Sequence, residues 1–250
     1  MNSDILVAHG LSVHYGAFRA VDSLDLQVRK GSVHSLIGPN GAGKTTAFNA
    51  LCGIAKTSGG TIRLKGERID HLPVARRTRK GLARSFQITN LFFEADVHEN
   101  VRLACQAALG WKSYDFISQC VYQRELLDRA MEVLDWAGLK GRAGTSAGEL
   151  SHGEQRRLEM ALAVASNPSV IFMDEPTAGM GAEDISFAKQ LIRNLAKDRQ
   201  MTVVLIEHNM SLVMDISDCI TVLQQGQKVA EGDPLSIQQN PIVRAAYLGE

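Results

Sequence analysis

The stretch VHSLIGPNGAGKTTAFNAL, residues 33–51, decides the fold because it joins a strand to a helix through a glycine-rich loop. Residues 33–37 form a short, mostly apolar run, which is typical of a strand inside a sheet. Residues 44–51 are predicted to be the helix that follows, and the segment between them fits the pattern G-x-x-x-x-G-K-[ST]. The sequence therefore predicts a strand, an anion-binding loop and a helix in succession.

The loop suits a phosphate group for physical reasons. Glycines 38, 41 and 43 allow backbone angles that other residues adopt reluctantly, so the main-chain N–H groups can turn inward. The helix N-terminus favours negative charge. We expect Lys44 to reach the β- and γ-phosphates of a nucleotide and the Thr45 hydroxyl to ligate Mg²⁺. The predicted nucleotide-binding residues of the loop are Gly38, Pro39, Asn40, Gly41, Ala42, Gly43, Lys44, Thr45 and Thr46.

The composition is that of an ordinary globular protein without a charge bias. The chain has 250 residues, of which 45% are hydrophobic, and it contains 27 basic and 27 acidic residues. This length suits one large α/β domain or a core with a small insertion. The charge balance predicts no nucleic-acid partner, and the basic run Arg76–Lys80 is interpreted as a solvated helix face.

The sequence shows no sign of secretion or of a membrane span. The first residues lack the basic and apolar regions of a secretory signal, and no apolar stretch is long enough to cross a bilayer. We expect a cytoplasmic protein whose membrane role comes through a partner. The cysteines contain no C-x-x-C pair and are expected to be reduced thiols. They are Cys52, Cys105, Cys120 and Cys219.

Two kinds of strand are predicted. Residues 11–15 and 24–28 alternate apolar and polar side chains, which indicates antiparallel strands with turns at Gly16 and Gly31, and residues 61–65 continue this pattern. Other runs are almost wholly apolar and favour parallel strands covered by helices on both faces. These are residues 169–173, 202–206 and 219–223, with a crossover helix predicted over 183–199.

A helical insertion is predicted between these two groups of strands. From about residue 97 to 142, apolar side chains recur at helical spacing until Gly138. We expect a helical subdomain over residues 91–149. The predicted fold class is α/β, with an N-terminal antiparallel β region and this subdomain inserted into the core.

Two carboxylates follow one of the apolar strands. Residues 170–173 lead directly into Asp174 and Glu175, and Pro176 ends the strand. Ligands bind at the carboxyl ends of strands in open α/β sheets. We expect Asp174 to hold Mg²⁺ and Glu175 to polarise the attacking water as general base. An apolar strand ending in two acids is often only a strand that meets solvent, but the phosphate loop favours the functional interpretation.

A second helix N-terminus is predicted at Ser151. Its hydroxyl is a good N-cap, and Glu154 three residues later completes a capping box. This pattern alone describes the start of a helix and nothing more. The same geometry also suits a γ-phosphate, which a helix N-terminus with a serine hydroxyl can bind.

The glycine loop, the segment Leu150–Gln155 and the pair Asp174–Glu175 occur in an order and spacing that resembles the ATP-binding cassette (ABC) ATPases. Those proteins are P-loop NTPases with a RecA-like core. The resemblance extends over nearly the whole chain, so we expect residues 1–250 to form a single ABC transporter ATP-binding domain. It implies that Ser151 and Gly153 bind the γ-phosphate of ATP held by a second cassette.

The resemblance also implies roles for three residues, each of which would indicate no function if it were considered alone. Gln87 resembles the Q-loop glutamine, which touches Mg²⁺ and water and senses the membrane subunit. His208 resembles the switch histidine, which contacts the γ-phosphate. Tyr15 resembles the aromatic residue that stacks on adenine. The implied catalytic residues are Glu175, His208, Gln87 and Lys44, and the implied metal ligands are Thr45, Gln87 and Asp174.

Four segments narrow the resemblance to one branch of the family. Together they are similar to the ATP-binding subunits of bacterial importers for branched-chain amino acids and for amides, urea or aromatic acids. The branch implies ATP and Mg²⁺, a second ATPase subunit that is a copy or a paralogue, permease subunits, an external solute-binding protein and a place on the inner face of the membrane. The segments are Gly81–Gln87, Ser151–Glu159, Ala178–Met180 and Ala246–Glu250.

Two alternative functions remain open, and the sequence departs from the family pattern at three positions. A lipopolysaccharide-export ATPase has a similar length and ending, and a non-transport cassette that remodels a ribosome or DNA is the more distant alternative. The segment Leu150–Gln155, called the signature segment here, resembles the signature motif of the family, but His152 replaces the motif's second glycine and Glu154 replaces its usual glutamine. Gly181 stands where many cassettes have the aspartate that connects the two sites. Leu91–Phe93 is interpreted as a permease contact or as ordinary packing of the helical subdomain.

Overall fold

The computed structural model describes residues 4–84, 91–109 and 116–247. The chain forms two compact units. The first contains the chain up to Leu82, Ser169–Glu175 and the chain from Ile192 onwards. The second contains Ala83–Pro168 and Pro176–Leu191. No helix in the described ranges has both the length and the apolar character needed to cross a bilayer.

Strands predominate at the start of the chain, and helices separate them further on. The strands are β1 (Asp4–Tyr15), β2 (Phe18–Arg29), β3 (Val33–Ile37), β4 (Gly59–Leu64), β5 (Glu67–Arg68), β6 (Leu82–Arg84), β7 (Val170–Asp174), β8 (Thr202–Ile206), β9 (Cys219–Gln224) and β10 (Gln227–Gly232). The helices are α1 (Lys44–Cys52), α2 (Val74–Arg79), α3 (Val97–Leu109), α4 (Phe116–Trp136), α5 (His152–Ala165), α6 (Ala182–Lys197), α7 (Met210–Ile216), α8 (Pro234–Gln239) and α9 (Pro241–Tyr247).

The first sheet is the antiparallel region that the alternating segments predict. Its strand order is β2-β1-β4-β5. β1 pairs with β2 in a hairpin whose last partners are Tyr15 and Phe18, and β1 pairs on its other side with β4. Apolar side chains of β1 and β2 point inward and are fully buried, as at Leu11 and Leu24. The predicted turn at Gly16 is confirmed, since it lies between the two strands.

The second sheet carries the loop strand in its interior. Its order is β10-β9-β3-β8-β7-β6, and β3 pairs in parallel with both β8 and β9. Every residue of β3, β7 and β8 is buried, which confirms the prediction that the apolar runs are parallel strands. The edge strand β10 pairs antiparallel with β9 and is largely exposed, and the apolar runs do not predict it.

The helix after the loop packs its aromatic residue on the sheet. Phe48 of α1 meets Phe172 of β7 edge to face, with ring centroids 4.9 Å apart and an interplanar angle of 83°. Both rings are fully buried. Such aromatic pairs add about 1 kcal/mol beyond the burial of their area. This contact packs α1 against β7, the strand that leads into the two predicted carboxylates.

The second unit has a helical core of its own. Apolar side chains of α3, α4 and α5 pack together, among them Val101, Leu134 and Leu158. The predicted crossover helix is present as α6, which begins at Ala182. The boundaries of the helical subdomain, 91–149, remain a prediction.

Candidate functional site

The glycine loop lies between β3 and α1 and is pressed against two neighbouring segments. A Cβ atom at Gly43 would lie 2.3 Å from the carbonyl oxygen of Ala20. One at Gly38 would lie 2.3 Å from the carbonyl oxygen of Leu223. Gly43 also has a left-handed φ of 95°, which residues with a side chain adopt reluctantly. Close approach and backbone angle together require glycine at these positions.

The N-terminus of α1 faces a cavity and suits an anion. Within the described part of the chain, no side chain caps this terminus, and its first turn contains no acidic residue. The positive end of the helix dipole and the main-chain N–H groups of the first turn therefore remain available to a negative group. The cavity has a volume of about 310 Å³. Its lining residues are Phe18, Ala20, Asn40, Gly41, Ala42, Gly43, Lys44, Thr45, Thr46, Glu175 and His208.

Lys44 is buried and folded back onto the loop. Its Nζ atom donates hydrogen bonds to the carbonyl oxygens of Gly38 at 2.7 Å and Pro39 at 3.0 Å. Burial lowers the pKa of Lys44, and the charges of Glu175 and Asp174 oppose that shift. The ammonium group thus lies in a negative environment inside the loop, where it can exchange carbonyl oxygens for phosphate oxygens.

The two carboxylates emerge at the end of β7. Asp174 is buried and pairs in register with Ile206 of β8. Glu175 adopts a left-handed φ of 50°, and its N–H group donates to the carbonyl oxygen of Ile206 at 2.9 Å. Left-handed backbone is uncommon for residues other than glycine and clusters at functional sites. This turn brings the Glu175 carboxylate to the cavity wall.

His208 lies at the end of the neighbouring strand β8. Its Nε2 atom is 3.0 Å from Oε1 of Glu175. Its main-chain N–H donates to Oε2 of Glu207 at 2.9 Å, and Asn209 caps α7 by accepting from the N–H of Leu212 at 3.1 Å. The structure therefore brings together the residues that the sequence predicts as general base and switch histidine.

The predicted capping box at the start of α5 is confirmed. The N–H of Glu154 donates to Oγ of Ser151 at 3.3 Å, and the N–H of Ser151 donates to Oε2 of Glu154 at 2.9 Å. This main-chain hydrogen bond is the largest cause that lowers the pKa of Glu154. The signature segment is a rigid, capped helix start within the second unit.

The first turn of α5, next to Ser151, contacts α6 at Gly153. The contact leaves no room for a side chain at this position. A Cβ atom there would lie 2.1 Å from Oδ2 of Asp184. Asp184 lies 4.0 Å from the Arg157 guanidinium, which also covers the Phe187 ring at 4.8 Å from its centroid. His152, the departure from the signature, lies against Gly179: a Cβ there would be 3.0 Å from its Cε1 atom.

The aromatic residues at the cavity differ from the sequence interpretation. Phe18, directly opposite Tyr15 in the hairpin, lines the cavity, whereas Tyr15 does not. Both rings are exposed, Tyr15 to 59% and Phe18 to 65%. Sequence reasoning missed Phe18 because an aromatic residue at the start of an exposed strand gives no periodic signal. Gln87 lies outside the described residues.

A glycine loop after an interior parallel strand, with a histidine after the neighbouring strand β8 and a glutamate after the next strand β7, defines a P-loop ATPase of the cassette type. The chain belongs to the ABC transporter family, which residues 21–178 match. Residues 227–250 match the family described as branched-chain amino acid ATP-binding cassette transporter. The chain is therefore an ABC ATPase that binds and hydrolyses nucleotide.

Relatives align with it from end to end. The high-affinity branched-chain amino acid transport ATP-binding protein BraF of Pseudomonas aeruginosa is 42% identical, with 100% of both chains covered. LivG of Escherichia coli, which carries the same description, is 40% identical over 100% of both chains. The lipopolysaccharide export system ATP-binding protein LptB of Escherichia coli is 33% identical, over 98% of this chain and 97% of its own.

A solved structure has the same fold. The crystal structure of the ADP conformation of an ATP-binding cassette of an ABC transporter superposes with a TM-score of 0.85. Its sequence is 28% identical, and the alignment covers 99% of each of the two chains. A nucleotide-free cassette of an ABC transporter superposes with a TM-score of 0.81 at 27% identity. The predicted α/β cassette fold is confirmed.

Proposed function

We propose that this ATPase powers an importer for branched-chain amino acids or related small solutes, working through partner permeases. The observation that carries the proposal is the end-to-end identity of 40–42% with BraF and LivG, against 33% with LptB. The match of residues 227–250 to the branched-chain amino acid family also supports it, because that segment lies outside residues 21–178, which match the general ABC transporter family.

The cavity residues account for ATP hydrolysis. Lys44 and the N–H groups at the start of α1 bind the β- and γ-phosphates and neutralise their charge. Glu175 takes a proton from the attacking water as the oxygen approaches the γ-phosphorus. His208 holds the Glu175 carboxylate, 3.0 Å away, and contacts the γ-phosphate from the same side. The water oxygen forms a bond to the γ-phosphorus while the bond from that phosphorus to the bridging oxygen breaks, which gives inorganic phosphate and ADP.

The oxygen donors at the cavity fit Mg²⁺. The Thr45 hydroxyl lines the cavity, and the charge of Asp174 acts on Lys44 inside it. A hydroxyl and a carboxylate are the hard ligands that Mg²⁺ takes together with substrate phosphates. Thr45, Asp174 and Gln87 would hold the ion, and the ion would supply positive charge toward the phosphates of the nucleotide. Tyr15 stacks on adenine in this proposal, and Phe18 offers a second ring at the cavity wall.

The signature segment acts on a second subunit. Ser151 and Gly153, at the N-terminus of α5, bind the γ-phosphate of ATP held by the opposing cassette. The partners are a second ABC ATPase, identical or paralogous, the permeases and, indirectly, an external solute-binding protein. The chain then lies on the cytoplasmic face of the cell membrane. Gly181 stands where many cassettes have the aspartate that helps to connect the two sites.

Phe92 and Phe93 are proposed to contact a permease. Their side chains are 61% and 45% exposed, whereas Leu91 is buried in the helical core. Leu91 therefore packs in the helical core, and the exposed rings of Phe92 and Phe93 are available for contact with a partner. A Phe92→Ser variant that keeps ATPase activity and loses transport supports this contact, and unchanged assembly and transport contradicts it.

The solute class is tested with the intact membrane complex. The ATPase rate of the reconstituted complex is measured with a panel of branched-chain amino acids, amides, urea and aromatic acids. Stimulation by a branched-chain amino acid and its binding protein confirms the proposal. Copurification with a lipopolysaccharide-exporting membrane complex would favour the alternative that the LptB relative suggests.

Composite sites are tested by mixing two inactive variants. Lys44→Ala disables the loop, and Ser151→Ala disables the signature segment, so a mixed dimer retains one complete site. Partial recovery of ATPase activity on mixing supports sites formed between subunits. Absence of recovery, with dimer formation intact, contradicts them.

A further inference from the structure

Arg77 is a buried cation in the basic run that the sequence indicates is solvated. Its side chain is 2% exposed, while Arg76, Arg79 and Lys80 on the same run are exposed. Arginine is rarely buried without partners that compensate its charge. The interpretation of this run as a wholly solvated helix face is therefore wrong at one position.

The Arg77 guanidinium bridges two segments through main-chain oxygens. Nη1 donates to the carbonyl oxygens of Ala50 and Leu51, each at 2.8 Å. Nε donates to Leu72 at 2.9 Å, and Nη2 donates to Asp70 at 2.9 Å. Ala50 and Leu51 belong to the last turn of α1. The planar fork thus ties the C-terminal end of the loop helix to residues 70–72.

The end of α1 is built to receive this cation. The last turn of α1 contains no basic residue of its own, and its carbonyl groups carry the negative end of the helix dipole. Gly53 caps the helix with φ 85°, and a Cβ atom there would lie 2.7 Å from Nε of Arg77. Any side chain at position 53 would displace the guanidinium.

The charge of Asp70 opposes the lowering of the Arg77 pKa by burial, but the Asp70 carboxylate makes its side-chain hydrogen bonds with Arg68. Asp70 pairs with Arg68, whose Nε lies 2.8 Å from Oδ1 and whose Nη2 lies 3.1 Å from Oδ2. Arg77 takes the carbonyl oxygen of Asp70 and not its carboxylate. Carbonyl dipoles of α1 and of residues 70–72 therefore compensate the Arg77 charge.

We propose that Arg77 is a positioning residue for the nucleotide site, which holds α1 at the angle that aims its N-terminus at the phosphates. The inference rests on the proposed ATP site. α1 is about 13 Å long, so a tilt of about 5° displaces one end by about 1 Å. Displacements of this size cost catalytic sites up to about 100-fold in rate. Arg77 acts through α1 and does not touch the nucleotide.

The test compares Arg77→Lys with Arg76→Lys in the full chain. Lysine keeps the charge of Arg77 but loses the fork, so it cannot bond α1 and residues 70–72 together. We expect Arg77→Lys to fold and to bind MgATP about 10-fold more weakly at a temperature well below its unfolding midpoint. The rise in KM for ATP should exceed the fall in kcat. Arg76→Lys, on the exposed face of the same helix, should match the unchanged chain.

A second variant reaches the same contact from the helix side. Gly53→Ala pushes on the guanidinium and should also weaken MgATP binding. The double variant should lose less than the sum of the two single losses, because both act through one contact. If Arg77→Lys fails to fold, the single variant Gly53→Ala decides the matter, and unchanged MgATP affinity in folded Gly53→Ala then overturns the proposal.

Two results overturn the assignment. A lowered unfolding midpoint with unchanged MgATP affinity in Arg77→Lys would make Arg77 a structural residue only. Additive losses in the double variant would separate Gly53 from Arg77 and overturn it likewise. Failure of the unchanged chain to bind MgATP would instead overturn the proposed nucleotide site, and the Arg77 assignment with it.

Discussion

Nε2 of His208 lies 3.0 Å from Oε1 of Glu175, so two side chains that follow the neighbouring strands β8 and β7 are in contact at the cavity. The contact depends on the left-handed backbone of Glu175, which turns its carboxylate from the strand toward the loop. A glutamate and a histidine from separate strands thus meet only because the strands are parallel neighbours.

Glu175→Gln should abolish hydrolysis and keep ATP binding. Glutamine retains the shape and can still accept a hydrogen bond, but it cannot take a proton from water. Loss of a general base lowers the rate by about 100-fold or more. Phosphate release and ATP retention by the dimer are measured together, with the exposed Glu183→Gln as the matched control. Undiminished phosphate release in Glu175→Gln would remove it from the general-base role.

Gly153→Ala should impair the signature segment and leave the loop intact. The added methyl group would lie 2.1 Å from Oδ2 of Asp184, so α5 and the carboxylate must separate. We expect ATPase activity of the dimer to fall several-fold, with unchanged nucleotide binding by the single chain. Asp184→Ala in the same chain should restore part of the activity because it removes the clashing atoms. No recovery in the double variant would show that Gly153 is needed for another reason.

Alanine substitutions at Tyr15 and at Phe18 distinguish the contributions of the two rings to ATP binding. Each ring is expected to contribute to adenine binding through stacking, which is worth about 1–3 kcal/mol per base, as measured in nucleic-acid complexes. Phe18→Ala should weaken ATP affinity because Phe18 lines the cavity. Tyr15→Ala tests the role that the family resemblance implies. If both variants lost affinity for ATP and for inorganic triphosphate to the same extent, neither ring would contact the base.

His34 should make stability depend on pH. Burial lowers the pKa of His34 to about 4, and its Nε2 lies 2.8 Å from Oγ1 of Thr221. Thr221 donates to Oε2 of Glu231, so Nε2 carries the proton that the Thr221 oxygen accepts. In the unfolded chain, histidine titrates near 6.5. Between these values the unfolded state binds the additional proton, so stability falls as pH drops through this range.

The expected loss from His34 is about 2 kcal/mol between pH 7.5 and pH 5. Urea unfolding at the two pH values measures it, and His34→Asn should show a smaller loss because asparagine does not titrate. Other groups contribute equally to both proteins, so the difference between them isolates His34. Equal pH dependence in the two proteins would show that folding does not lower the pKa of His34.

Much of the fold follows from local pattern. The mostly apolar runs at 33–37 and 202–206 coincide with β3 and β8, because a strand buried on both faces is rich in apolar residues. The polar exceptions His34 and Ser35 are buried in β3 with side-chain partners from later in the chain. The capping box at Ser151 was predictable because both partners lie within one helical turn. The cavity residue Lys44 follows from the glycine-loop pattern, and Glu175 and His208 follow from their positions just after strand ends.

Other features depend on partners distant in sequence. Arg77 is buried by contacts with residues 26 and 27 positions earlier, which a local charge pattern cannot show. Phe18 enters the cavity wall through the hairpin, and β10 forms an edge strand with little apolar signal. The contact between Gly153 and Asp184 joins two helices that are separate in the chain. In each case the position is set by tertiary packing and not by the segment's own composition.

The interior place of β3, hydrogen-bonded to β8 on one side and β9 on the other, has a kinetic consequence. Amide hydrogens of β3 can exchange with solvent only when the sheet itself opens, whereas those of the edge strand β10 need only a local detachment. The segment that presents the glycine loop should therefore be among the last parts of the molecule to exchange deuterium. Slow exchange at Leu36 beside fast exchange at Val229 would show that the nucleotide site is anchored in the most persistent element of the domain.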